Sequence, residues 1–204
     1  MTIDLIISRL KKRYPPGKFH SSDPFRVLIA TVLSQRTRDE VTDRAAEKLF
    51  AKYGSPGALA QADVVDIEKL IRAVGFYRVK APRVKEIARI ISNDFKGKVP
   101  DDMDTLLSLP GVGRKTANCV LVYGFGKDAI AVDTHVHRIS NRLGLVNTKT
   151  PEETEVRLKE VLLKRHWRHI NELLVRFGQD ICRPVAPRCG ACMLAELCPS
   201  RRQK

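Results

Sequence analysis

The sequence predicts an all-α protein. Apolar residues recur at the three- and four-residue spacing of an amphipathic helix in nearly every segment. No segment alternates apolar and polar residues for long enough to predict a strand. Clusters of glycine and proline separate the apolar stripes, and such clusters end helices. We therefore expect about ten helices and no sheet.

The predicted helices follow from their apolar stripes and from the residues at their ends. In chain order the stripes are Leu5, Ile6 and Leu10; Phe25, Leu28, Ile29 and Val32; Val41, Ala45 and Leu49; Val84, Ile87, Ala88 and Ile91; Ala117, Val120, Leu121 and Gly124; Leu158, Val161 and Leu162; and Ile170, Leu173, Leu174 and Phe177. Residues with a side-chain oxygen are predicted as N-caps. These are Asp23, Asp39, Asp63, Asp133 and Thr150. Pro82 is expected in the first turn of its helix.

The composition indicates a folded and strongly basic chain. Its 204 residues include 37 lysines and arginines against 23 acidic residues, a formal charge of +14. This excess favours an anionic partner, above all nucleic acid, and a solvated basic surface without a partner is the alternative.

No apolar run is long enough to span a membrane, and the N-terminal segment is typical of an amphipathic helix rather than a signal peptide. We expect a cytoplasmic protein whose cysteines are not in disulfides.

The segment LPGVGRKTAN (109–118) carries the strongest functional signal. A proline and two glycines, Gly111 and Gly113, stand between apolar runs, which predicts a helix, a tight turn and a second helix. Glycine permits positive φ and a close approach of backbone amides to a ligand. The first amides of the second helix lie at the positive end of its dipole, so the turn with Val112 and Arg114 predicts a phosphate-binding site.

Lys115 lies in the first turn of that second helix. Its amine can act as a nucleophile, because it stands beside a site that binds a phosphate backbone. Alternatively, it supplies only a positive charge to the phosphate, and the residues by themselves favour this simpler role.

Four of the five cysteines lie near the C-terminus, at Cys182, Cys189, Cys192 and Cys198. They are separated by six, two and five residues, so their thiolates can converge on one metal centre. The spacing favours an iron–sulfur cluster, because zinc sites usually combine two close pairs and only one is present. A structural zinc site and uninvolved thiols stay open. The fifth cysteine, Cys119, is interpreted as a small core residue.

These motifs, in this order along the chain, resemble the endonuclease III group of the helix-hairpin-helix base-excision DNA glycosylases. The resemblance runs from LIATVLSQRTRDE to the last cysteine. It implies two helical domains flanking a DNA cleft: a helical barrel at 21–129, and a second domain of 1–20 with 130–204. It also implies that the four C-terminal cysteines bind a [4Fe-4S] cluster. The implied form is a monomer in a prokaryotic cytoplasm, acting on double-stranded DNA with damaged bases or abasic sites.

The resemblance also implies the roles of two residues. Lys115 matches the nucleophile that attacks the anomeric carbon of a flipped nucleotide and forms a Schiff base, after which β-elimination cuts the strand. Asp133, in AVDTH, matches an aspartate that assists proton transfer and stabilises positive charge on the sugar. Its predicted role as an N-cap is compatible with this second role.

Two further positions resemble residues that fill the gap left by a flipped base. Phe76, in GFYRVK, matches an apolar wedge, and a core aromatic is an equally good interpretation. The turn Ser34–Thr37 matches the second gap-filling loop. Family members often have glutamine where Arg36 stands, whereas here Gln35 lies one position earlier. This departure leaves open whether Gln35 or Arg36 fills the gap, and which opposite base is preferred.

The resemblance predicts a bifunctional glycosylase and abasic-site lyase that acts on oxidised pyrimidines. Relatives that remove adenine carry a glutamate where Thr31 stands, and mismatch-specific glycosylases typically lack the lysine present at Lys115. Two alternatives stay open: a monofunctional thymine or uracil mismatch glycosylase, and a non-catalytic helix-hairpin-helix module that only binds DNA.

Overall fold

A computed structural model describes residues 2–15 and 23–201, and eleven α-helices occupy this part of the chain. They are α1 (Thr2–Arg13), α2 (Pro24–Ser34), α3 (Asp39–Lys52), α4 (Pro56–Gln61), α5 (Val64–Leu70), α6 (Tyr77–Asp94), α7 (Met103–Ser108), α8 (Arg114–Cys119), α9 (Thr134–Arg142), α10 (Pro151–Val161) and α11 (Trp167–Asp180). The described residues contain no strand, so the all-α prediction is confirmed. None of the helices described combines the length and the apolar character that a membrane crossing requires.

The chain divides into two compact units. The terminal unit comprises Met1–Phe19 with Lys127–Lys204, and the central unit comprises His20–Gly126. The domain boundaries expected at residues 20/21 and 129/130 stay a prediction, and the first of them lies outside the described residues.

The central unit is built around α2. This helix packs against α3, α6 and α8, and α4 and α5 pack against α6. The side chains of α2 that lie in the core are Phe25, Leu28, Ile29, Val32 and Leu33. They follow the helical period that the sequence predicted, so burial of this stripe holds α2 in the middle of the unit.

The terminal unit has a core of its own. Helix α11 packs against α9 and α1, and α10 packs against α9. Ile6, Val136 and Phe177 are among its fully buried side chains. The segment that carries the four C-terminal cysteines also contacts this core through the buried Leu194. The cysteine segment is therefore supported by the helices of the same unit.

Most predicted helix starts are confirmed and two are corrected. The confirmed N-caps, whose side chains accept hydrogen bonds from early amides, are Asp23, Asp63, Asp133 and Thr150. Asp39 is not a cap, because Arg38 is the N-cap of α3. Asp39 is the first residue of this helix, where its carboxylate interacts favourably with the positive end of the helix dipole. Pro82 lies inside α6 and not in its first turn, because the helix begins at Tyr77, directly after the left-handed Phe76.

Candidate active site and metal centre

The segment between α7 and α8 forms the tight turn that the sequence predicts. Gly111 has a φ of +73°, and the Val112 amide donates a 3.1 Å hydrogen bond to the Leu109 carbonyl, which closes the turn. The Arg83 side chain of α6 occupies the place of a Cβ at position 111. The backbone conformation favours glycine there, whereas the flexible end of Arg83 would have to move to admit a Cβ. The Val112 side chain is buried and anchors the turn to the unit.

Gly113 differs from Gly111 in both respects. It is the N-cap of α8, with an extended backbone (φ −97°, ψ 176°) that any residue adopts. No atom lies within 4 Å of a Cβ built on it. Neither strain nor packing therefore requires glycine at 113. Glycine leaves room at a helix start that no side chain caps, where an anion can meet the first amides and the positive end of the dipole.

Lys115 is the second residue of α8 and is half-buried. The residues that follow it in the helix, Thr116–Cys119, are all buried and fix α8 to the unit. The Cys119 prediction is confirmed, because its thiol lies in the core. A π-helical turn, Val120–Gly124, continues the chain. Among the described residues of the central unit, no carboxylate forms an ion pair with Lys115. The backbone of Lys115 is therefore held firmly, while its amine is available to a ligand.

Asp133 is the N-cap of α9 in the terminal unit. Its Oδ1 accepts a 2.8 Å hydrogen bond from the Val136 amide, and its carbonyl accepts a 2.9 Å hydrogen bond from the His137 amide. Within the described part of this unit, no group donates a hydrogen bond to Oδ2. One carboxylate oxygen therefore fixes the side chain, and the other can interact with a ligand.

The two predicted gap-filling turns lie against each other in the central unit. Phe76 is 59% exposed, so the interpretation of this ring as a core aromatic is wrong. The Arg36 guanidinium lies 5.5 Å from the centre of the Phe76 ring, at cation–π distance. The Gln35 Nε2 instead donates a 3.0 Å hydrogen bond to the Gly111 carbonyl. The structure thus brings both turns and the hairpin together.

Lys80, on α6, is a residue of this region that the sequence analysis missed. Its side chain is buried, and Nζ donates hydrogen bonds to the Leu33 carbonyl (2.7 Å), the Gln35 carbonyl (2.5 Å) and the Thr37 Oγ1 (3.2 Å). Burial and, to a smaller extent, the positive charge of Arg83 together lower the pKa of Lys80 to about 8. The ammonium thus connects α6 to the turn that follows α2.

A signal for Lys80 was present in the sequence. Lys80 stands four residues before Val84 and seven before Ile87, so it falls on the apolar stripe of its own helix. A lysine at such a position is buried by the helix that carries it, and a buried ammonium requires oxygen partners. The sequence could therefore have shown that Lys80 is buried, although not which oxygens it contacts.

The four C-terminal cysteines line one cavity in the terminal unit. Leu143, Phe177 and Ile181 also line this cavity, so its walls are largely apolar. All four thiols are half-buried and none is in a disulfide. No three potential ligands among the described residues are arranged to hold a single metal ion. The cavity thus brings together the four cysteines that the sequence grouped near the C-terminus.

N–H donors face two of the four sulfur atoms in this partly buried cavity. The Leu194 amide donates a 3.4 Å hydrogen bond to Cys192 Sγ, and Arg142 Nη1 donates one of 3.6 Å to Cys182 Sγ. Burial raises the pKa of the Cys192 and Cys198 thiols, and the neighbouring thiols raise it further. Four thiolates are thus unfavourable together unless a cationic centre binds them.

Comparisons with known proteins agree with these observations. A family model described as HhH-GPD superfamily base excision DNA repair protein matches residues 29–164. Endonuclease III of Thermotoga maritima is 52% identical over 202 residues, which cover 99% of this chain and 94% of that protein. A trapped endonuclease III–DNA covalent intermediate superposes with a TM-score of 0.88 at 34% identity, covering 98% of this chain and 96% of that one. A thermostable thymine-DNA glycosylase superposes with a TM-score of 0.85 at 28% identity and the same coverage. The chain belongs to the HhH-GPD superfamily of base excision DNA repair proteins.

Proposed function

We propose that this protein is a bifunctional DNA glycosylase and abasic-site lyase that removes oxidised pyrimidines from double-stranded DNA. The observation that carries the proposal is the position of Lys115. It lies in the first turn of α8, directly after the uncapped helix start at Gly113. Membership of a base excision repair family and the 52% identity to an endonuclease III support the same activity.

DNA binds through its phosphates at the start of α8. Gly113 lets a phosphate approach the first amides of the helix, and Arg114 adds positive charge beside them. The net charge of +14 favours a polyanion over a small anionic ligand. Because a relative that is 52% identical over nearly the whole chain is bacterial, we expect the protein to act in the cytoplasm of a prokaryotic cell.

Lys115 performs the chemistry on the sugar. A base stacked inside a duplex is out of reach, so the nucleotide must first rotate out of the helix. The Lys115 Nζ then forms a bond to C1′ while the bond from C1′ to the base breaks, and the base leaves with a proton that the amine nitrogen gives up. Opening of the sugar ring gives a protonated Schiff base, which draws electrons from C2′. Loss of a C2′ proton expels the 3′ phosphate, the strand is cut, and hydrolysis of the imine releases the lysine.

Asp133 supplies the carboxylate of the reaction. Its Oδ1 stays bonded to the Val136 amide and fixes the rotamer, while Oδ2 accepts a proton or faces the positive charge that develops on the sugar. Capping and catalysis therefore use different oxygens of the same side chain.

Arg36 and Phe76 fill the gap that the flipped nucleotide leaves. Phe76 is exposed, and Arg36 is stacked over its ring, so the two form a single wedge. Gln35 is already committed to the Gly111 carbonyl, which favours Arg36 over Gln35 as the residue that faces the opposite base.

Cys182, Cys189, Cys192 and Cys198 hold a [4Fe-4S] cluster. The shared cavity and the N–H···S hydrogen bonds support this donor set. When bound, the cluster supplies positive charge that neutralises the thiolates and fixes the segment they lie on. Iron and acid-labile sulfide analysis of the purified protein tests the assignment. A colourless protein that contains zinc would refute it.

Borohydride trapping tests the proposed activity, because it reduces the Schiff base to a stable amine that survives a denaturing gel. The substrates are duplexes with thymine glycol, an abasic site, a G·T mismatch or a G·U mismatch. Wild-type protein is expected to form an adduct with thymine glycol and with the abasic site. Lys115→Gln is expected to form none while it still binds DNA. Lys98→Gln, the same change of charge at an exposed lysine of the same unit, is the matched control.

The outcomes separate the three functions. An adduct of unaltered yield with Lys115→Gln would reject the nucleophile. Release of thymine or uracil from a strand that stays intact would favour a monofunctional glycosylase, the activity for which the thymine-DNA glycosylase neighbour is named. Binding without release of any base would leave only a DNA-binding module.

A further inference from the structure

Lys80 is a buried cation without a buried anion. It is 3% exposed, and among the described residues no carboxylate forms an ion pair with it. Its partners are three neutral oxygens. Burying an ammonium costs free energy that an apolar side chain of similar length does not cost. Packing alone therefore does not explain a lysine at this position.

The three oxygens share one location, the end of α2 and the turn after it. The Leu33 carbonyl belongs to the last turn of α2, the Gln35 carbonyl to its C-cap, and Thr37 Oγ1 to the turn that leads to α3. A cation is favourable there, because the last carbonyls of a helix are the negative end of its dipole. The ammonium thus holds the backbone just before Arg36 and the Thr37 side chain just after it.

Lys80 and Thr37 also connect this turn to the turn before α6. The Lys80 amide donates a 3.0 Å hydrogen bond to the Phe76 carbonyl, and the Gly75 amide donates one of 3.1 Å to Thr37 Oγ1. A Cβ on Gly75 would lie 2.8 Å from the Arg36 carbonyl, so the two backbones are in close contact. Thr37 Oγ1, in the turn after α2, accepts hydrogen bonds from the Gly75 amide and from Lys80 Nζ, and so joins that turn to the start of α6.

Both residues of the wedge are held in a strained conformation. Arg36 has a φ of +53° and Phe76 a φ of +58°, two of the four non-glycine residues with positive φ in the part of the chain that the structure describes. Such conformations persist only where the surroundings determine them. The hydrogen bonds of Lys80 and Thr37 lie immediately beside both residues and supply that constraint.

We infer that Lys80 is a positioning residue that fastens the 34–37 turn to the start of α6 and so presents Arg36 and Phe76 to DNA as one preformed wedge. The inference rests on the proposed function, in which this wedge fills the gap left by a flipped nucleotide. Lys80 does not touch the substrate. It acts through the two residues that do, and its loss leaves the chemistry at Lys115 intact.

Two substrates distinguish the contribution of the wedge from the chemistry at Lys115. Excision of thymine glycol from a duplex needs the nucleotide to be flipped, whereas cleavage of a single-stranded oligonucleotide at an abasic site needs no gap to be filled. For Lys80→Met we expect kcat/KM to fall roughly tenfold or more on the duplex, and to change by less than about twofold on the single strand. Thr37→Val removes the hydrogen bonds that Thr37 Oγ1 accepts from Gly75 and Lys80. We therefore expect a smaller loss of kcat/KM on the duplex, again with little change on the single strand. Lys52→Met, an exposed lysine paired with Asp66 in the same unit, is the control.

Equal losses on the two substrates would mean that Lys80 supports only the fold, and unchanged duplex excision would mean that the wedge forms without it. Either result overturns the inference. Thr37→Val provides the same test if Lys80→Met does not fold. Failure of the proposed function has a different signature, because wild-type protein would then form no borohydride adduct on any substrate.

Discussion

Helices α8 and α9 begin in opposite ways. Gly113 offers no side chain to the first amides of α8, whereas Asp133 caps α9 with a 2.8 Å hydrogen bond to the Val136 amide. A capped start is the more stable of the two. In the proposed function, the uncapped start of α8 gives up stability for access by a phosphate, whereas the cap of α9 orients the carboxylate of Asp133. A helix start would then serve binding in one unit and positioning in the other.

A third helix end extends this comparison. The C-terminus of α2 is closed by the Lys80 ammonium, which reaches it from α6. This closure differs from the Asp133 cap, because it joins two elements that are distant in sequence. It also buries a charge, whereas Asp133 is only half-buried. Its stabilising effect therefore depends on pH.

The largest expected effect comes from Asp133→Asn, which keeps the cap and removes the charge. Asparagine caps helices as well as aspartate does, so we expect the free energy of unfolding to change by less than about 0.5 kcal/mol. Excision should fall about a hundredfold, because the carboxylate is lost from proton transfer and charge stabilisation. Urea unfolding and single-turnover excision of thymine glycol measure the two quantities.

Asp63→Asn is the matched control for this change. Asp63 caps α5 with a 3.0 Å hydrogen bond to the Val65 amide, and it has no proposed part in the reaction. It should leave both stability and excision unchanged. If Asp133→Asn were as active as wild type, Asp133 would be a cap and nothing more.

The next largest expected effect is the dependence of the free energy of unfolding on pH that the titration of Lys80 causes. The pKa of Lys80 is lowered to about 8 in the folded protein, whereas in the unfolded chain it keeps the ordinary lysine value of 10.5. Between these values the unfolded chain binds more protons, so the free energy of unfolding rises with pH. The contribution is about 1 kcal/mol per pH unit in this window.

The measurement compares wild type with Lys80→Met in urea at pH 7.5, 8.5 and 9.5. Methionine does not titrate, so the stability of wild type relative to the variant should increase as pH rises through 8. Other groups that titrate in this range contribute equally to both proteins and cancel. A difference that stays constant with pH would show that the ammonium is not buried in solution.

The hairpin and the cysteine cluster could be predicted because their signals are local. Gly111, Gly113 and Lys115 lie within five consecutive residues, and a turn between two helices determines what each can do. The same holds for the confirmed N-caps, which depend only on a side-chain oxygen before a helix. The resemblance to a known family supplied the proposed roles of Lys115 and Asp133, which the local sequence pattern left open.

The wedge could not be predicted in the same way, because its geometry depends on contacts between distant residues. The oxygens that Lys80 binds lie 43 to 47 residues earlier in the chain. An aromatic ring in GFYRVK carries no local sign that it is exposed, and Phe76 is exposed because its positive φ turns the chain at the start of α6. The same conformation hides the helix start, which explains the error at Pro82.

The smallest expected effect on stability comes from adding a capping side chain at the start of α8. This change also tests the comparison of α8 with α9 most directly. Gly113→Ser places a capping hydroxyl on a backbone that already has the extended conformation of an N-cap, with no atom within 4 Å to oppose the new Cβ. We expect the free energy of unfolding to rise by about 0.3 kcal/mol, because serine caps slightly better than glycine.

DNA affinity should move in the opposite direction. The hydroxyl occupies the space through which a phosphate reaches the amides of α8, so we expect the Kd for an abasic-site duplex to rise about tenfold, or about 1.4 kcal/mol, by fluorescence anisotropy. Gly111→Ser is the contrasting variant: the φ of +73° at this position disfavours any residue with a Cβ, so this change should destabilise the fold itself. If Gly113→Ser bound DNA as tightly as wild type, phosphate would not bind at the uncapped start of α8. Phosphate binding would then have to be assigned to another part of the chain.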